Sequence, residues 1–298
     1  MRRKNDILLK GAFEQTFPDL LRFFFKEADA LFDLERGFEF MDKELRELFP
    51  ELEKRGGTRF VDLLVKTWLR NGQAEWILVH VEIEGGDTPT FPKRMFRYYY
   101  RLLDRFEVEV AAIAVFTGAK SQQRPAHYHT DFLGTSVSYR YNAYHIFDHT
   151  EQELLAMNNP FALVVLAAQK AQLMGKVPDE ELSEQRLTIV RALPASKRYD
   201  KEQISHFISF LGAFVHVKNP EVNSKFEKEI ERLTGIKNAM GIIEAIKKAE
   251  REEGMEQKSY EVVRNLLLAQ KFTVAEIANF ASVSVPFVKK VEKELKQK

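Results

Sequence analysis

Two short apolar bursts, Phe60 to Val65 and Ile77 to Ile83, are each marked by acids: Asp62 lies inside the first, while Glu82 and Glu84 end the second. Bursts of this length on either side of Asn71-Gly72 read as the two strands of a hairpin. Alternation along a strand places His80, Glu82 and Glu84 on one face and Val81 and Ile83 on the other. Asp62 joins the acids only in the right register, because a slip of one residue turns every side chain over. A two-residue Asn71-Gly72 loop would set Asp62 against Val81. A three-residue loop with Gly72 in the left-handed position pairs Leu69 with Gln73, sets Asp62 opposite His80 and brings the three acids together. That loop is the expectation.

The next stretch, "FPKRMFRYYYRLLDRF", has helical spacing, and Arg94, Arg97, Arg101 and Arg105 fall within an arc of roughly 80° at about 100° per residue. A guanidinium stripe beside carboxylates suits a phosphodiester, whose oxygens accept paired hydrogen bonds. Upstream, helical periodicity covers residues 6–30, with a break at Pro18 and with Glu14 on the first helix, and returns over 38–52. Downstream, "EVEVAAIAVFTG" reads as a buried strand, a polar loop follows, and "TSVSYRYNAYHIF" alternates like a further strand pair. Helices and strands in this order predict an α/β core over residues 1–150.

Beyond Glu151 the pattern is helical. Residues 151–237 form a predicted helical extension that includes "NPFALVVLAAQKAQLM", with Asn159 as cap and Pro160 at the first position. Charge rises after Asn238, so residues 238–298 read as a separate C-terminal helical module. Its Thr273-capped helix, the turn from Ser282 to Ser284 and a lysine-rich last helix have helix-turn-helix spacing; the alternative is a module through which copies of the chain self-associate.

Composition narrows the chemistry. The net charge is only +1 over 298 residues, so contact with a nucleic acid must come from local patches such as the arginine stripe. The absence of cysteine excludes disulfides, thiolate zinc sites and cysteine nucleophiles. The longest apolar run, Phe161 to Ala168, is too short to cross a bilayer, and the N-terminus lacks an apolar core of signal-peptide length. A cytoplasmic protein without membrane contact is expected. "FTGAKS" lacks the glycine spacing of a phosphate loop and "LGTSVSY" the second glycine of a nucleophile elbow. His127 with His129, and His145 with His149 and Asp148, are chemically able to bind zinc or another transition metal; with no acid or helix at fixed spacing, the alternative is ordinary polar surface.

Carboxylates in apolar strands are costly unless a cation or several donors meet them. Three on one face repel one another unless a divalent ion balances them, and an all-oxygen donor set favours Mg2+ or Mn2+. The alternative is ion pairing of Asp62 and Glu82 with Lys66 or Arg94.

The order "FDLERGFEFMDKEL", "RFVDLLVK", "WILVHVEIEG", "FPKRMFRYYYRLLDRF" and "NPFALVVLAAQKA" resembles the recombination-promoting nuclease and transposase-like group of the PD-(D/E)XK nuclease superfamily, over roughly residues 5 to 260. The resemblance implies a restriction-endonuclease-like core, a mixed sheet flanked by helices, and metal-dependent endonucleolytic cleavage of DNA. Asp62 and Glu82 match the family's metal-binding acids, with the backbone carbonyl of Ile83 beside them, and Arg94, Arg97 and Arg101 would grip phosphates. Glu84 takes the third motif position, where the superfamily usually has Lys and this group Gln. A carboxylate there orients water or binds metal but brings no positive charge to the transition state. Lys66 is the candidate substitute cation, His80 a supporting neighbour and Glu14 the candidate upstream acid. The alternative is a nuclease fold that has lost catalysis and binds DNA or protein.

Overall fold

The sheet that carries the acids is covered on both sides, and the alternation of its strands decides what lies on each. The computed structural model describes residues 2–49, 63–70, 77–86, 88–195, 199–236, 259–260, 262–269, 272–281, 283 and 285–296. The chain divides into two compact units, Met1–Ala239 and Met240–Lys298.

The first unit begins with α1 (Arg2–Gln15), α2 (Phe17–Phe24) and the short α3 (Ala28–Leu31), followed by β1 (Glu39–Phe40) and α4 (Asp42–Leu48). Next come β2 (Leu63–Thr67), β3 (Ile77–Glu84), α5 (Phe91–Phe106) and β4 (Val110–Phe116). A hairpin of β5 (His127–Phe132) and β6 (Thr135–Arg140) precedes β7 (Asn142–His145). The helices α6 (Glu151–Ala156), α7 (Pro160–Ala171), α8 (Asp179–Ala195), α9 (Lys201–Phe214) and α10 (Pro220–Thr234) complete the unit.

The main sheet has the order β1-β2-β3-β4-β7. It is antiparallel from β1 to β3 and parallel from β3 to β7, so α5 is the crossover between parallel neighbours. Odd-numbered Leu63, Val65, Val79, Val81, Ile113 and Val115 pack into the large core shared with α1, α2 and the helices from α6 onward. On the other face, Leu64 and Leu78 pack with α4 and with Tyr98 and Leu102 of α5, while Ala112, Ala114 and Phe116 pack with its Phe91 and Met95. The protein is therefore mixed α/β, with a sheet of parallel and antiparallel strands flanked by helices.

Helix α7 explains why the helices after residue 150 cannot stand apart from the sheet. Every residue from Pro160 to Lys170 is buried, and a helix apolar all round must be covered on every side. Its start is the expected one: Asn159 caps the amides of Phe161 and Ala162, and Pro160 follows where no amide hydrogen bond is lost. Thr16 separates α1 from α2, whose first turn accommodates Pro18 for the same reason.

Three local expectations are corrected. The β2–β3 register pairs Leu63 with Val81, Leu64 with His80 and Thr67 with Ile77, whereas the three-residue loop would have set Leu64 against Leu78. The register is thus displaced by two residues, yet even numbers still pair with even, which keeps the faces as expected; the Asn71-Gly72 turn itself lies outside the described residues. The start of the helix expected over 38–52 is instead the edge strand β1, paired with β2. The region read as a polar loop contains β5. It pairs with β6, while β7 joins β4 in the main sheet, so the two strands of "TSVSYRYNAYHIF" each find a partner elsewhere.

In the second unit, helical residues 262–268 precede the helices Val274–Phe280 and Val285–Lys296. Val263, Ile277, Ala278, Val288 and Val291 form its core, and Thr273 and Glu276 make a reciprocal capping box. Among the described residues of both units, no helix is long and apolar enough to cross a membrane.

Candidate active site

The acids lie at the C-terminal end of β3, where Glu82 neighbours Ala114 and Glu84 neighbours Phe116 of the parallel strand β4. Ligands of open α/β sheets bind beyond this end of their parallel strands. As alternation predicts, His80, Glu82 and Glu84 share the face turned towards α5. The Glu82 side chain is 1% exposed and that of Glu84 13%.

Arg94 clasps both carboxylates. Its Nε and Nη2 donate to Glu82 Oε2 at 3.2 and 2.8 Å, and Nη2 also donates to Glu84 Oε2 at 2.7 Å. The clasp is built by α5, which is fixed by Phe91 and Met95, one buried on either side of Arg94 in the sequence. The guanidinium lies 4.9 Å from the centre of the Phe91 ring. Glu84 is further oriented by the Gly86 amide at 3.0 Å and the Thr88 hydroxyl at 3.4 Å.

Gln122 ties down the backbone around Glu84. Its Nε2 donates to the carbonyls of Glu84 and Gly86 at 2.9 and 3.0 Å, and its Oε1 accepts from the Gly118 amide at 2.6 Å. A Cβ at Gly118 would come within 2.5 Å of Gln122 Oε1 and 3.1 Å of the Gly85 carbonyl. Gly118→Ala is therefore expected to push Gln122 off these carbonyls and to cost about 1–3 kcal/mol, read as a lower melting temperature. A melt identical to wild type would contradict this role. Gln122, Gly118 and Thr88 were not among the candidates from sequence, because the polar run after Gly118 follows no chemical motif.

Among the described residues, several buried polar atoms at the site have no hydrogen-bond partner. They include Glu82 Oε1, both ring nitrogens of His80 and the Tyr139 hydroxyl. An unsatisfied buried polar group costs about 1–3 kcal/mol, and more when charged. Burial, reinforced by the Arg94 charge, holds the His80 imidazole down at about 3, so it is neutral. Its ring lies edge-on to Tyr98 at 4.9 Å. Burial first, and then the nearby Glu82 charge, push the Tyr141 phenol up; Tyr139 moves the same way, with burial again the largest cause. A cleft of about 280 Å³ opens beside Glu84, with Gly86, Thr88, Phe91, Phe116 and Pro125 among its walls.

Asp62, the first acid expected from sequence, lies outside the described residues. Lys66 does not reach the acids. It stands opposite Leu78, four residues along β3 from Glu82, or about 13 Å at strand rise, and pairs with Glu39 at 3.3 Å. Glu14 pairs with Lys10 at 3.8 Å on α1, whose buried side belongs to the core on the other face of the sheet. Arg101 holds the C-terminus of α4, donating to the Leu48 carbonyl at 3.4 Å and lying over the Phe49 ring, while Arg97 is exposed. Ile83 pairs with Val115 and turns its side chain to the large core. The arginine stripe is therefore split: two members are engaged in internal contacts, and Arg97 and Arg105 face solvent.

Among the described residues, no group of three or more histidines or acids could hold a metal ion. No protein-family model, curated protein or solved structure matches the chain.

Proposed function

We propose that this chain is a divalent-metal-dependent DNA endonuclease with a restriction-endonuclease-like core. The observation that carries the proposal is Glu82: a carboxylate 1% exposed at the C-terminal end of a parallel strand, with one oxygen clasped by Arg94 and the other without a hydrogen-bond partner among the described residues. A buried carboxylate oxygen left without a donor among the described residues fits a cation, and the carboxylates of Glu82 and Glu84 are hard oxygen donors of the kind Mg2+ and Mn2+ prefer. The even-with-even register of β2 and β3 is the one that convergence of Asp62 with Glu82 and Glu84 requires.

In this reading Asp62, Glu82 and the Ile83 carbonyl would hold the ion, which would supply Lewis-acid stabilisation of charge on the phosphodiester. Glu84, already oriented by Gly86 and Thr88, accepts a proton from the attacking water and points it at phosphorus. Arg94 neutralises the acids while no ion is bound; released from them, it donates to a phosphate oxygen and provides the positive charge that the third motif position lacks. Exposed Arg97 draws the DNA backbone in, and the helix-turn-helix spacing of the second unit gives it a part in DNA contact.

One observation favours a second reading. Among the described residues Arg94 alone bridges Glu82 and Glu84, as a purely structural ion pair would, which suits a nuclease fold that binds DNA or protein without cutting. Incubating supercoiled plasmid with Mg2+ and either wild type or Glu82→Gln separates the two. Nicking by wild type alone supports the enzyme; equal treatment of the plasmid supports the binder.

A further inference from the structure

The β5–β6 hairpin is outside the main sheet and ends in an unusual turn. Phe132 pairs with Thr135, so Leu133-Gly134 is a two-residue loop, and both residues have positive φ, 49° and 81°. This is the type I′ pattern, which favours Asn or Gly at its first position and penalises leucine. The leucine is also 87% exposed, and its neighbour Phe132 is 72% exposed. Neither backbone preference nor burial accounts for an apolar pair there.

The hairpin is seated at its other end. Tyr128 and Tyr139 are cross-strand partners; Tyr128 stacks on Phe96 of α5 at 5.2 Å, and Tyr139 lies 4.7 Å from Tyr99. From there four residues lead to Phe132, so the tip reaches about 13 Å beyond the seat. Over that length His129, Thr130, Asp131, Ser136 and Ser138 are exposed, leaving both faces of the ribbon largely bare. At about 100° per residue, Phe96 and Tyr99 lie on the flank of α5 opposite Arg94. Exposed Lys93 and Arg97, one turn apart, form the ridge between these flanks.

We propose that the β5–β6 hairpin is a DNA-engaging arm whose Phe132 and Leu133 wedge into a base-pair step. The inference rests on the nuclease reading for its choice of partner: a duplex lying on the Lys93–Arg97 ridge meets the acid pair on one side of α5 and the ribbon on the other. A two-stranded ribbon fits the major groove, its hydroxyl and imidazole side chains can bond base edges, and apolar residues inserted between bases unstack and kink the duplex. The cationic ridge beside the arm favours DNA over a second copy of this chain.

The decisive variant is Phe132→Thr with Leu133→Asn in the full chain, because threonine suits a strand, asparagine suits the left-handed position, and together they remove only the apolar tip. Its melting temperature should equal or exceed that of wild type. Binding to a 2-aminopurine-labelled duplex should weaken about tenfold or more, and the fluorescence rise that reports unstacking should disappear. Equal affinity and equal fluorescence in both proteins overturn the arm. So does a defect seen only with anionic vesicles, or only in sedimentation of the protein alone, since these point to a membrane or to a second copy. If wild type fails to bind the duplex, the arm and the nuclease reading fall together. If it binds through the Phe132–Leu133 tip but never cuts with Mg2+, the arm stands and the nuclease reading falls.

Discussion

Glu82→Gln should leave supercoiled plasmid intact under conditions in which the wild-type chain nicks it, with a loss of at least about a hundredfold in rate. The substitution keeps the size of the side chain and an oxygen for Arg94, while Arg94 retains Glu84 as a charged partner at 2.7 Å. What it removes is the negative charge that a buried cation needs. Asp62→Asn should act in the same way, because the proposal gives both acids one task. Circular dichroism of each variant shows whether the fold is kept. Identical nicking by wild type and both variants in Mg2+ and in Mn2+ would end the catalytic reading.

Arg94→Gln should produce the largest change in stability. Removing the guanidinium leaves the buried Glu82 charge without its cation, and breaking a buried ion pair from one side costs about 3–5 kcal/mol. The melting temperature should fall by roughly ten degrees. Added Mg2+ should then restore it, since an ion that binds only the folded chain adds about 2.7 kcal/mol at a hundred times its dissociation constant. In wild type the ion has to displace Arg94 from two carboxylates; in the variant it does not. The Mg2+ concentration at half-maximal stabilisation should therefore be at least about tenfold lower in Arg94→Gln, while nicking is reduced because the phosphate loses a donor. A variant that melts low and does not respond to Mg2+ or Mn2+ would make Arg94, Glu82 and Glu84 a structural ion pair.

The arrangement of this site was partly legible from the sequence. Alternation alone places His80, Glu82 and Glu84 on one face, because the pleat of a strand turns successive side chains to opposite sides, and the structure agrees. The helix after the hairpin was readable from its apolar spacing, and the cap at Asn159 from its side-chain chemistry. Pairing partners were not. The β2–β3 register depends on the length of the connection, and nothing in "TWLRNGQAEW" dictates where pairing resumes. The β5 strand escaped notice because four of its six residues are polar and all but Tyr128 are exposed, so it shows no hydrophobic alternation, and its turn uses Leu-Gly where Asn-Gly would have announced a hairpin.

The fate of the arginines was hidden for a different reason. Helical spacing puts Arg94, Arg97, Arg101 and Arg105 on one stripe, but it cannot tell which of them meet an acceptor on another element. Arg94 meets Glu82 and Glu84, and Arg101 meets the carbonyl end of α4, because those elements lie against that flank of α5. Lys66 shares a face with the acids by parity but lies too far along the strand, a distance that alternation does not encode.

The most direct measurement is a Mn2+ titration of the full chain followed by electron paramagnetic resonance, without DNA. Wild type should take up ion at a site that Glu82→Gln abolishes and that Arg94→Gln fills at lower Mn2+ concentration. Free Mn2+ signals that rise identically in all three proteins would show that Oε1 of Glu82 receives no ion, and the ion pair with Arg94 would then be the account of the buried acids.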